Sequence, residues 1–213
     1  MFFSNENGSS IVMAIAGSDD LPDWIGANPS FISPHGPTQA LTNDVTAAAA
    51  ILNEIKSLYP NANIVLTGHS LGGAIAQILA NATGLATTTF DAPGVGGLVA
   101  YFTSLTQQLS NFSAPSISSP ITNYRIYGDL VSTVGNQLGT LTTVTFEPPI
   151  SKLLIDQFPL STAKPLHDLS YMLERVVDNA ATTSSTGPTA AGVIADTGGL
   201  LGATLIGDVT GGG

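Results

Sequence analysis

The sequence contains no cysteine. That excludes disulfides, thiolate metal sites and a cysteine nucleophile within this chain. It is also poor in charge: Asp, Glu, Lys and Arg make up 9% of 213 residues, and five bases stand against 15 acids, for a formal charge of −10. So few Lys and Arg argue against nucleic acid as a partner, because phosphate contacts are carried by those side chains. Attraction to anionic lipid headgroups is disfavoured for the same reason. No run reaches the roughly 18 consecutive apolar residues of a membrane-spanning helix. Met1-Phe2-Phe3-Ser4-Asn5-Glu6 has neither the basic start nor the apolar run of a secretory leader. There is one tryptophan, Trp24, and there are three histidines, His35, His69 and His167. No internal repeat is evident.

What is present is a chain 43% hydrophobic and long enough for one domain with a real core. Ser9 to Ala16 is short and almost continuously apolar, as a buried strand is. Residues 19 to 37 form a loop with four prolines around Trp24. Leu41, Val45, Ala48, Leu52, Ile55 and Tyr59 recur every three or four residues, which predicts an amphipathic helix stopped at Pro60. Strands are expected at 63–67, 85–90, 121–127 and 141–146. Helices are expected at 71–82, 95–110, 150–157 and 167–177. Alternation of strand and helix predicts an α/β fold, a mostly parallel sheet with helices on both faces. From Ala181 onward Thr, Ser, Gly and Ala dominate, so the chain divides into a domain over 1–180 and a Gly/Thr-rich tail over 181–213.

The chemistry is concentrated in Ile64-Val65-Leu66-Thr67-Gly68-His69-Ser70-Leu71-Gly72-Gly73-Ala74. A buried strand runs into Gly-His-Ser-Leu-Gly and then into a helix. This is the nucleophile-elbow pattern G-x-S-x-G in the context that gives it meaning. The turn is tight enough to strain Ser70, and a Cβ at Gly68 or Gly72 would collide with the neighbouring backbone. Ser70 is thereby presented at a helix N-terminus, whose free N–H groups favour developing negative charge.

A serine hydroxyl needs a base, and the base needs an orienting carboxylate. In this fold type the order is Ser, acid, His. His69 lies inside the elbow and reads as a packing or hydrogen-bonding residue. His35 precedes the serine. His167 alone follows it with room for an acid between. Candidate acids are Asp91, Asp129, Glu147 and Asp156. Asp129 directly follows a strand at the expected rim and is preferred; Asp91, after the strand beside the elbow, is second. The N–H of Leu71 is one oxyanion donor by the geometry of the motif, and Ser18, after the first apolar strand, is the best-placed second. Trp24 and Ile25, with Phe31 and Ile32, are suited to a small apolar flap; Trp24, Ile25 and His69 are candidate substrate-contact residues.

With these residues in place, the chain resembles the class 3 lipase family, the fungal triacylglycerol lipase type of α/β-hydrolase. Thr67-Gly68-His69-Ser70-Leu71-Gly72-Gly73-Ala74 matches that family's most specific block. Gly17-Ser18 followed by Trp24-Ile25 resembles its oxyanion segment, with Ala16 in place of the usual arginine. Thr89-Phe90-Asp91-Ala92-Pro93-Gly94 and Gly128-Asp129-Leu130-Val131 resemble its Phe-x-x-Pro and Asp-x-Val segments. The resemblance covers roughly residues 9 to 180. Fungal members have a longer N-terminal portion and disulfides, so this chain reads as a minimal form or a part of a larger protein. The expected activity is cleavage of acyl esters through an acyl-enzyme, with an ester or lipid substrate, transient contact with a lipid interface and no metal or cofactor. A phospholipase A1 or acyltransferase with the same three residues is the alternative enzyme, and an inactive hydrolase-fold binding module the non-enzymatic one. Acidity, lack of cysteine and the Gly/Thr-rich end suggest a secreted protein.

Overall fold

In the computed structural model, residues 1–17, 36–109, 111–112, 120–144 and 167–169 are described. Two short strands come first. β1 (Phe2–Ser4) and β2 (Ser10–Ile15) pair antiparallel, with Phe2 opposite Met13. The hairpin closes through Gly8 at a φ of 67°, where its lack of a Cβ removes the steric penalty. β1 was not foreseen; three residues are too few to carry a periodic signal.

The amphipathic segment forms α1 (Gln39–Leu58), whose Thr38 side chain caps the Leu41 N–H at 3.2 Å. Leu41, Val45, Ala48, Leu52 and Ile55, spaced by three and four, are its buried face. β3 (Asn63–His69) leads without a loop into α2 (Ser70–Thr83), which ends on Gly84 at a φ of 74°. β4 (Thr87–Phe90), β5 (Ile121–Ile126) and β6 (Thr140–Val144) follow.

The six strands lie in the order β1-β2-β3-β4-β5-β6, and β2 to β6 are all parallel. This is the mostly parallel α/β sheet expected. α1, α2 and the single turn α3 (Leu105–Gln108) pack on one another, so these helices share one face of the sheet. A strictly sequential strand order with right-handed crossovers produces that arrangement. α2 lies across β2, β3 and β4. Ile11 and Met13 of β2, Ile64 and Leu66 of β3, and Ile75, Ile78 and Leu79 of α2 form the centre of the core. In β3 these core residues alternate with half-buried Val65, Thr67 and His69 on the opposite face.

One expectation fails. Residues 95–110 do not form a continuous helix but a 3-10 turn (Val99–Phe102) and then α3. The N–H groups of Gly94 and Gly96 donate to the carbonyls of Val134 and Asn136, at 2.7 and 2.8 Å. Cβ atoms at either glycine would meet Asn136. The segment is thus pinned to the loop after β5, and its backbone follows that loop before it turns into the 3-10 segment.

Buried polar groups brace the same region. Gln77 of α2, fully buried, donates to the Pro93 carbonyl at 3.1 Å and accepts from the Leu138 N–H at 3.1 Å. Thr89 donates to Asn123 Oδ1 at 2.6 Å, and Asn123 Nδ2 donates to the Leu138 carbonyl. These bonds tie the elbow helix, β4, β5 and the 134–140 loop together. The register Ile15–Gly68, Gly68–Thr89 and Thr89–Asn123 then brings the ends of β2, β3, β4 and β5 to one rim. Helices expected at 150–157 and 167–177 lie outside the described residues apart from 167–169, as does the tail. No described helix is long and apolar enough to cross a membrane.

Candidate active site

Ser70 sits between β3 and α2 at a φ of 55°. For a residue with a Cβ this is the sterically disfavoured left-handed region. It is imposed by a strand that turns into a helix with no intervening loop. A Cβ on Gly68 would run into the backbone of Gly72, and one on Gly72 into the carbonyls of Ile15 and Ala16. On Gly73 it would lie 2.6 Å from Ala92 Cβ. Three small residues therefore let the elbow close against β2 and β4. The end of β2 also reaches the serine: a Cβ at Gly17 would be 3.2 Å from Ser70 Cβ. Leu71 follows in the first turn of α2, where its N–H has no helical acceptor. Ser18, Trp24, Ile25, Phe31, Ile32 and His35 lie outside the described residues, as do Glu147 and Asp156.

Asp129 is 1% exposed and follows β5 through Gly128 at a φ of 90°. Its Oδ2 accepts from the Ser132 N–H at 2.8 Å, and its Oδ1 from the Val131 N–H at 3.3 Å. Oδ1 also meets His167 Nδ1 at 2.9 Å, across 38 residues of sequence. Asp129 offers only acceptors as a carboxylate, so Nδ1 carries the proton and donates. His167 Nε2 is left as the basic nitrogen. It is buried and has no hydrogen-bond partner among the described residues.

His69 is turned toward this pair. Its ring lies 4.7 Å from that of His167, tilted by 40°, and its Nε2 is 2.7 Å from the His167 carbonyl. A carbonyl only accepts, so His69 is the Nε2–H tautomer and donates. Burial, and then the neighbouring His167, lowers its pKa from 6.5 to about 4. It is neutral at pH 7. The sequence marks His69 as a packing or hydrogen-bonding residue and as a candidate substrate contact; here it packs on His167 and bonds the His167 carbonyl. Its partner, 98 residues away, had no local signal in the sequence.

Asp91 lies one strand nearer the elbow, at the end of β4. It is fully buried, with a φ of 45°. Its carboxylate points to β5, where Oδ1 accepts from the Ile126 N–H at 2.7 Å. Asp129, not Asp91, is the acid in contact with His167. Among the described residues no cluster of His, Asp and Glu has the arrangement of a metal site.

A family model for the Tle-like phospholipase domain matches residues 1–156. The chain belongs to this family. Among curated relatives, the ATG15 protein of Cryptococcus neoformans var. neoformans is 43% identical over 49 residues, which are 23% of this chain and 9% of that protein. An extracellular phospholipase A1 of Serratia liquefaciens is 36% identical over 89 residues, 42% of this chain and 26% of the relative. The chain thus spans a small part of the curated relatives it matches. Among solved structures, a Rhizomucor miehei lipase–propeptide complex is 17% identical, covering 68% of this chain and 51% of that one, with a TM-score of 0.45. The resemblance to lipases drawn from the elbow and its neighbouring segments is in line with this family.

Proposed function

We propose that this chain is a serine ester hydrolase of the phospholipase and lipase type. Ser70 is the nucleophile, His167 the base and Asp129 the orienting acid. The observation that carries this is the buried Asp129–His167 pair, whose Nε2 has no partner among the described residues, set on the same rim as a strained serine at a helix N-terminus. A packed domain has little reason to bury an imidazole with one nitrogen unpaired unless a substrate or nucleophile completes it.

The steps follow from the atoms. His167 Nε2 takes the Ser70 hydroxyl proton as Oγ bonds to the ester carbonyl carbon. Asp129 holds the imidazolium through Nδ1–H. The oxyanion forms over the N-terminus of α2, where the Leu71 N–H is one donor and the segment after Gly17, with Ser18, supplies the other. Collapse breaks the ester C–O bond, and His167 gives its proton to the leaving alcohol. Water, deprotonated by the same nitrogen, then releases the acid from Ser70.

Membership of a phospholipase family supports a phospholipid ester as substrate over a triglyceride, with a lysophospholipid as leaving alcohol. The extracellular phospholipase A1 among its relatives and the acidic, cysteine-free composition support action outside the cell. Phosphatidylcholine vesicles labelled at the sn-1 or the sn-2 acyl chain test the reading, with wild type beside Ser70→Ala. Wild type is expected to release labelled fatty acid, and the variant to be slower by about 10³-fold or more. Equal rates in the two proteins would overturn the assignment.

A further inference from the structure

Asp91 takes no part in these steps, yet it is fully buried and backbone-strained at the same rim. Its hydrogen bonds follow a definite route. The Asp91 N–H donates to the Tyr124 carbonyl at 2.8 Å, and its Oδ1 accepts from the Ile126 N–H at 2.7 Å. On the other side of the same residue, the Ile126 carbonyl accepts from the Asp129 N–H at 3.1 Å. Asp91 and Asp129 are thus linked through Ile126, the last residue of β5. What holds Ile126 also holds the start of the turn on which Asp129 is presented.

The two carboxyls are unequally provided for. Asp129 receives three donors: two backbone N–H groups and His167. Among the described residues Asp91 receives one, and its Oδ2 is buried with no partner there. Two buried carboxyls held on either side of Ile126 do not both ionise readily, and the one with fewer donors keeps the proton. Of the elements around Asp91, β3 carries His69, and β5 carries Tyr124 and Arg125. The Arg125 Nε donates outward to Thr143 of β6. α2 and β6 carry no ionisable side chain. Among the described residues, the charge that acts on Asp91 is that of Asp129.

We propose that Asp91 is a positioning residue for the acid turn, and that it works as an un-ionised carboxyl: its carbonyl oxygen anchors the Ile126 N–H while its proton spares Asp129 and His167 a second buried negative charge. Burial first, and then the charge of Asp129, raise its pKa to about 8, in keeping with that state at neutral pH. Above that value the second charge appears. It repels the buried charge of Asp129 and so loosens the turn that presents the acid.

The test compares Asp91→Asn with Asp91→Ala in the full chain. Asparagine keeps the acceptor for Ile126 and copies the neutral acid. Asp91→Asn is expected to keep kcat at pH 7 within about threefold and to extend activity further above pH 8 than wild type. Asp91→Ala, which loses the anchor, is expected to lower kcat by about ten- to hundredfold with little change in KM, as a misplaced catalytic group does. Asp91→Asn as slow as Asp91→Ala at pH 7 would overturn the proposal, because the charge would then be required. So would an alkaline limb unchanged in Asp91→Asn, or an Asp91→Ala with wild-type kcat.

The positioning role rests on the reading of Ser70, Asp129 and His167, and a second measurement separates the two. Between pH 4 and 8 an ordinary aspartate in the unfolded chain is ionised while folded Asp91 is not. Folded Asp91 therefore binds more protons, and stability falls as pH rises through that window. Asp91→Asn lacks this loss, so its Tm advantage over wild type should grow from pH 4 to pH 8. A constant offset would overturn the un-ionised carboxyl whether or not the chain hydrolyses esters. Absence of Ser70-dependent hydrolysis, with the growing offset present, would overturn the enzymatic reading alone.

Discussion

His69 donates from Nε2 to the main-chain carbonyl of His167 at 2.7 Å, and the two rings lie 4.7 Å apart. The residue immediately before the proposed nucleophile thus clamps the segment that bears the proposed base. The elbow presents Ser70 and, through its neighbour, also fixes where His167 sits. His69→Phe keeps the ring and removes the donor. One lost hydrogen bond is worth about 1 kcal/mol, so kcat should fall by about five- to tenfold with KM nearly unchanged. Steady-state kinetics on a p-nitrophenyl ester checks it, and a wild-type kcat would show that the clamp is dispensable.

The same substitution has a signature in stability. Folded His69 has its pKa lowered to about 4, against 6.5 ordinarily. Above pH 6.5 both folded and unfolded forms are neutral and nothing is lost. As pH falls from 6.5 toward 4 the unfolded chain takes up a proton that the folded one does not, so stability declines through that window. His69→Phe cannot titrate. Its Tm should therefore vary less with pH between 6.5 and 4 than that of wild type, as thermal denaturation in a series of buffers would reveal.

Strain at the elbow has its own consequence. Ser70 holds a φ of 55°, a conformation that costs about 1–2 kcal/mol with a Cβ and little without one. Ser70→Gly and Ser70→Ala should both be inactive if Ser70 is the nucleophile. Ser70→Gly should be the more stable by about 1 kcal/mol, a Tm difference of about 2–4 °C for a chain of this size. Equal melting temperatures would mean that the elbow carries no such strain in solution.

The parts of the fold legible in the sequence were those set by neighbours in the chain. α1 was written in its spacing of Leu41, Val45, Leu52 and Ile55, and the elbow in Gly68, Ser70 and Gly72. The helix expected at 95–110 was not legible. What breaks it is the close packing of Gly94 and Gly96 against residues 134–136, a contact between distant segments. β1 escaped because it is a strand only by pairing with β2. Asp91 and Asp129 were both recognisable as acids at strand ends. Which of them meets His167, and that the other is anchored to Ile126, depended on the packing of β4 against β5. His69 likewise looked local, while its partner is nearly a hundred residues away.

Gly72 offers a sharper test of that packing than any core leucine. A methyl group there would enter the carbonyls of Ile15 and Ala16, and both are main-chain groups of a central strand that cannot rotate aside. Overpacking of this kind costs about 3 kcal/mol. Gly72→Ala should lower the denaturant midpoint substantially or prevent accumulation of folded protein. Gly97→Ala, where the new Cβ meets nothing within 4 Å, is the matched control and should unfold like wild type.

Asp129→Asn separates the orienting role of the acid from its packing. The amide is nearly the same size and keeps one oxygen, which can still accept from Val131 or Ser132. An amide nitrogen turned toward His167 Nδ1 would instead favour the tautomer with its proton on Nε2. That tautomer cannot take the Ser70 proton. The expected result is a fall in kcat of about 10³- to 10⁴-fold with KM little changed. The loss should shrink at higher pH, where hydroxide performs deacylation unaided. If Asp129→Asn retained wild-type kcat while Asp91→Asn lost it, the orienting acid would be Asp91, and His167 would have to leave the position in which its Nδ1 lies 2.9 Å from Asp129.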